Sequence, residues 1–113
     1  MRDGQPQMSF GVMGGPMQPQ GHLQMVLRTV DYGQNPQTAA DAPRWRVVQG
    51  REVALEHGFD TDVVRELRNR GHVIEETTPQ LSTSFGGAQL LWKTDGGYIA
   101  GSDHRKDGQA VGY

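Results

Sequence analysis

A chain of 113 residues with 35% apolar content, 16 glycines and a formal charge of -2 is about the size of one ordinary domain, and with glycine counted its apolar share excludes general disorder. Its 11 basic and 13 acidic residues are interspersed, which excludes the footprint of a nucleic-acid binder or a polybasic membrane patch. The lack of cysteine excludes disulfides, thiolate zinc sites and a cysteine nucleophile and leaves the compartment open. No apolar run reaches the roughly 18 residues of a bilayer span, and Met1-Arg2-Asp3-Gly4 does not begin a signal peptide.

Alternation from Gln7 to Met13, with Met8, Phe10 and Val12 on one side, predicts a strand after the Asp3-Gly4 turn. Gly14-Gly15 follows directly. Pro16 and Pro19 suit a first helical turn, and Leu23, Val26, Leu27 and Val30 fall at i, i+3, i+4 and i+7, which predicts a helix bearing that apolar stripe and capped by Gly33. Asn35 as N-cap with Pro36 at the first helical position predicts a helix of one to two turns that stops before Pro43. Arg44 to Val48 and Glu52 to Leu55, around the Gln49-Gly50 turn, read as two short strands in a hairpin or arch.

Asp60 is the next N-cap, flanked by the hydrophobic-staple pair Phe59 and Val64. Val63, Val64 and Leu67 give a stripe that runs to Gly71. His72 to Glu76, Ala88 to Lys93 and Tyr98 to Ala100 are strand candidates, the last two joined by the Asp95-Gly96 turn, before a polar, glycine-rich tail from Gly101 to Tyr113. The expected fold class is α/β (α+β), one domain over residues 1–113, with an antiparallel or mixed sheet covered by helices. A strand this close to residue 1 leaves an open sheet edge unless another chain covers it, so the expected architecture is part of a larger layered fold.

At Gly14-Gly15 a strand gives way to a helix, a geometry that aims backbone N–H groups at one point in front of the helix. Such a point suits an oxyanion, and the same dipeptide also suits a plain tight turn. The other groupings carry less. Ser102, Asp103 and His104 are triad residues by type, yet consecutive loop residues point apart and cannot form a relay, so a turn or cap is expected. His22, His57, His72 and His104 lack metal-site spacing, and no metal or cofactor is expected. Arg44 with Trp45 reads as a short strand with one buried aromatic, or as a contact surface. Asp62, Arg65, Glu66, Arg68 and Arg70 read as a solvated helix face. The segment from Ser82 to Ala88 reads as a loop entering a strand, or as a second close-approach loop.

The run Phe10-Gly11-Val12-Met13-Gly14-Gly15-Pro16-Met17-Gln18-Pro19-Gln20-Gly21-His22-Leu23-Gln24 resembles the diglycine segment of γ-glutamyltransferases and related acylases. Asp31-Tyr32-Gly33-Gln34-Asn35-Pro36, Asp41-Ala42-Pro43-Arg44-Trp45, Glu56-His57-Gly58-Phe59, Arg70-Gly71-His72 and the block from Gly101 to Tyr113 continue the resemblance over nearly the whole chain. It departs at His104, where the family usually has proline, and at Pro16-Met17, where relatives vary.

The resemblance implies part of an N-terminal-nucleophile hydrolase, in which a self-cleaved precursor exposes a threonine that attacks a γ-glutamyl or related amide. It implies that Gly14 and Gly15 form the oxyanion hole, and that the threonine and the serine and acidic substrate contacts lie upstream of residue 1. This chain is then inactive alone and works with the upstream segment or large subunit of the same enzyme. A non-catalytic module that self-associates through its N-terminal strand is the other expectation, with neither nucleic acid nor membrane as partner.

Overall fold

The alternating Met8, Phe10 and Val12 become a strand in the computed structural model, which describes residues 1–76 and 83–113. The element order is β1 (Met8–Met13), α1 (Met17–Val26), α2 (Pro36–Asp41), β2 (Trp45–Gln49), β3 (Glu52–Leu55), α3 (Thr61–Asn69), β4 (Val73–Glu76), β5 (Gly87–Thr94) and β6 (Gly97–Ser102). Contacts divide the chain into two bodies, residues 1–42 with 86–113, and residues 43–85.

In the first body β1, β5 and β6 form an antiparallel sheet in that spatial order, with Phe10 opposite Leu90, Val12 opposite Ala88, and Leu90 opposite Gly101. Val12, Ala88 and Leu90 share one core with Met25, Ala39 and Ala40 from the helices, and Met8 and Phe10 pack against it. The strand period therefore reads out correctly. Among the described residues no strand lies beyond β1, so it is an edge strand.

The buried face of α1 differs from the apolar stripe in the sequence. Leu23 is 49% and Val30 55% exposed, while Met17, Gly21, Gln24 and Met25 are buried. The reason is close approach: a Cβ on Gly21 would lie 2.5 Å from a Val12 methyl, so the helix sits against β1 through a residue with no side chain. Past Val26 the helix widens over Leu27–Asp31, with Tyr32 N–H donating to the Leu27 carbonyl at 3.0 Å. It ends at Gly33 (φ +63), where Gln34 N–H returns to the Arg28 carbonyl at 2.9 Å.

Helix α2 starts as its sequence dictates, the Asn35 side chain accepting from Thr38 N–H at 2.9 Å. Its Gln37 carboxamide pairs with both backbone groups of Ser102, donating to the carbonyl at 2.9 Å and accepting from N–H at 3.0 Å. A Cβ on Gly101 would lie 2.7 Å from the Pro36 backbone, so α2 rests directly on β6. The polar tail is anchored rather than loose. Buried Asp103 accepts from Ala88 N–H and from Arg105 N–H at 2.9 Å, and the Arg105 guanidinium reaches Asp103 at 3.0 Å, the Ala40 carbonyl at 2.9 Å and the Ala42 carbonyl at 3.2 Å.

The second body holds a mixed sheet in the order β2-β3-β4. Strands β2 and β3 form a hairpin, the first of the two expected arrangements, with an irregularity between Val47 and Gln49 next to Gly50 (φ +50). The β3-α3-β4 crossover makes β3 and β4 parallel. Asp60 caps α3 by accepting from Asp62 N–H at 2.7 Å. Val64 is buried with Val53 and Leu55, and Trp45, Phe59, Leu67 and Ile74 pack around them, whereas Val63 points outward. The charged side of α3 is a solvated face: Asp62–Arg65, Glu66–Arg70 and Arg68–Glu76 pair at 2.8 Å while remaining exposed, each contributing only about 0.3–0.5 kcal/mol. Arg44 departs from the contact-surface reading. It is fully buried, its N–H donating to Glu56 at 2.7 Å and its guanidinium to the Phe85 carbonyl at 3.1 Å.

Candidate functional site

The bend between β1 and α1 is built from glycines because its backbone takes conformations that other residues rarely adopt. Gly14 adopts φ +124 and Gly15 φ +59, conformations that glycine enters freely. A Cβ on Gly14 would also lie 3.0 Å from Gly86 Cα and 3.2 Å from Met17 Cβ, whereas one on Gly15 would meet nothing. Both glycines are exposed.

Polar accounting at the bend leaves two donors. The carbonyls of Gly14 and Gly15 accept from Met17 N–H at 3.1 Å and Gln18 N–H at 3.0 Å, closing the first turn of α1. Pro16 has no N–H. Among the described residues the Gly14 and Gly15 amides have no hydrogen-bond acceptor. The strand leading to them is fixed from outside: His22 on α1 accepts from Val12 N–H through Nε2 at 2.9 Å and stands edge-on to Phe10, with ring centroids 5.6 Å apart.

The remaining candidates separate. The Asp103 carboxylate is engaged by Ala88 and Arg105, while His104 Nδ1 faces Asp41 at 3.1 Å. Ser102, Asp103 and His104 therefore form no relay. Lys106 N–H donates to the Asp103 carbonyl at 3.0 Å, the expected turn. His57 is exposed, and among the described residues no three histidines or acids gather to hold a metal. Of the segment 82–88, Ser82 lies outside the described residues, and Gly86 makes the close approach to Gly14. Nothing in the sequence signals that His22 holds the strand, whereas the approach of Gly86 to Gly14 matches the close-approach alternative for this segment, without its partner having been legible.

The comparisons with known proteins point one way. The family model described as gamma-glutamyltranspeptidase matches residues 1–113. The chain is 32% identical to a glutathione hydrolase-like proenzyme of Bacillus subtilis, over 98% of this chain and 22% of that protein. It is 31% identical to an oxamate amidohydrolase proenzyme of Klebsiella pneumoniae, over 94% of this chain and 21% of that protein. Among solved structures, cephalosporin acylase from Bacillus halodurans superposes with a TM-score of 0.91 at 42% identity, covering 98% of this chain and 21% of the other. Gamma-glutamyltranspeptidase from Pseudomonas nitroreducens shares the fold with a TM-score of 0.83 at 19% identity, covering all of this chain and 58% of the other. The chain spans about a fifth of the length of the curated relatives it matches, and it belongs to the gamma-glutamyltranspeptidase family.

Proposed function

We propose that this chain is the C-terminal portion of a threonine-nucleophile amidohydrolase or acyltransferase, supplying the oxyanion-binding amides and no nucleophile. The observation that carries the reading is that the exposed residues Gly14 and Gly15 have N–H groups with no acceptor among the described residues, on a bend whose carbonyls are already used by α1. In the reaction a threonine hydroxyl from the upstream part attacks an amide carbonyl, and the threonine α-amine takes its proton. Negative charge then develops on the carbonyl oxygen, where the two glycine amides stabilise it. Collapse expels the amine as it takes the proton held by the threonine α-amine, and water or an acceptor amine later takes the acyl group. Because the donors are held by backbone already folded into β1 and α1, they need no reorganisation as charge appears.

The substrate class is a γ-glutamyl or related amide. The chain alone is inactive, and its partner is the upstream segment or large subunit of the same enzyme. The test mixes the chain with the upstream half of a relative and follows hydrolysis of a γ-glutamyl anilide. Rescue is expected. Gly15→Pro should abolish it, and Gly15→Ala, which keeps the amide and meets no neighbour but is strained at φ +59, should retain part of it. No rescue by a correctly matched half contradicts the reading, and a stable symmetric dimer of the chain alone favours a self-associating module instead.

A further inference from the structure

We infer that Gly86 is the positioning residue of the Gly14-Gly15 bend: its missing side chain lets the Met13 carbonyl lie directly against it, and that carbonyl sets the direction of the Gly14 N–H. The inference rests on the oxyanion reading above. Met13 C=O and Gly14 N–H belong to one peptide unit, which is planar and trans, so any rotation of the oxygen rotates the N–H by the same angle. Gly86 controls that oxygen. A Cβ built on Gly86 collides with the Met13 carbonyl oxygen and comes within 3.1 Å of its carbon and 3.2 Å of a Val12 methyl.

The surroundings restrain both strands beside this peptide. Val12 is buried and its N–H is held by His22 at 2.9 Å, while Met13 is the register partner of Gly87 in β5. Residue 87 is in turn backed by the Lys106 side chain, since a Cβ there would lie 2.5 Å from Lys106 Cε. With β1 tied to His22 at Val12 and paired with β5 at Met13, relief falls on the peptide between Met13 and Gly14. Gly86 also has φ +76, which disfavours alanine independently of the collision. Gly50 separates the two effects: it has φ +50 and open space around its Cβ position.

The test compares the 15N-labelled full chain with its Gly86→Ala and Gly50→Ala variants. Gly86→Ala should move the Gly14 amide cross-peak further than any amide outside residues 12–15 and 84–88, and Gly50→Ala should leave it in place. A folded Gly86→Ala with an unmoved Gly14 cross-peak overturns the inference. If Gly86→Ala does not fold, the wild-type chain decides: the Gly14 amide should have an order parameter near the rigid-backbone value of about 0.85, and one below about 0.6 overturns it.

In the complemented enzyme, Gly86→Ala should lower kcat about 10²-fold with KM nearly unchanged, as expected when a donor used only in the transition state is re-aimed. Gly50→Ala should leave both constants alone, and a parallel change in kcat and KM, or none, contradicts positioning. Turnover that survives Gly15→Pro defeats the oxyanion reading itself. Turnover lost with Gly15→Pro but kept with Gly86→Ala defeats only the role of Gly86.

Discussion

Val12 donates its backbone N–H to Nε2 of His22 at 2.9 Å, so the outer edge of β1 is closed at this point by a side chain from the helix that follows it. His22→Phe keeps a ring against Phe10 but removes the acceptor. An unsatisfied donor on buried Val12 costs about 1–3 kcal/mol. Urea denaturation should show a loss of that size, and an unchanged midpoint would mean that the bond contributes nothing.

Gly21 and Val12 make a second prediction, with opposing terms. Alanine at a helical glycine gains about 0.8–1 kcal/mol of helix propensity. Here the new methyl would lie 2.5 Å from a Val12 methyl, and overpacking costs about 1–3 kcal/mol. Gly21→Ala should therefore destabilise the chain, and in a Val12→Ala background the same change should cost less, the remaining contact being with the residue-12 Cβ at 3.0 Å. Additive effects in that double-mutant cycle would contradict the contact.

Asp103 and Arg105 are almost fully buried and bonded at 3.0 Å. Asp103→Ala leaves the guanidinium without its counter-charge and the Ala88 N–H without its acceptor. Breaking one side of such a pair costs about 3–5 kcal/mol, measurable as a fall in the denaturation midpoint. Arg105→Lys should recover little of the wild-type stability, because a single ammonium cannot reproduce the fork that reaches Asp103, Ala40 and Ala42 together.

The outward stripe of α1 gives a prediction opposite to its hydropathy. Leu23→Gln and Val30→Thr lie on exposed positions and should change stability by no more than about 0.5 kcal/mol. A loss above about 2 kcal/mol would place these side chains in a core.

The boundaries of the elements were legible because local chemistry marks them. Asn35 and Asp60 cap their helices with their own side chains, and Gly33, Gly50 and Gly71 take the positive φ that their turns require. The buried face of α1 was not legible. Its contact residues include Gly21, which has no side chain, and Gln24, whose carboxamide is satisfied at the Gln20 carbonyl, so neither carries a hydropathic signal. Arg44 and Asp103 were missed for a related reason: their burial is compensated by partners at residues 56, 85, 88 and 105. The diglycine was visible from its position between strand and helix. Its dependence on Gly86, 72 positions away in sequence, appears only once β5 is paired with β1.

The most direct measurement replaces the Gly14–Gly15 amide by an ester in the complemented enzyme, which removes one N–H without adding a side chain. kcat should fall about 10²–10³-fold with the chain folded as before. Unchanged turnover in the ester-bearing enzyme would contradict the oxyanion reading.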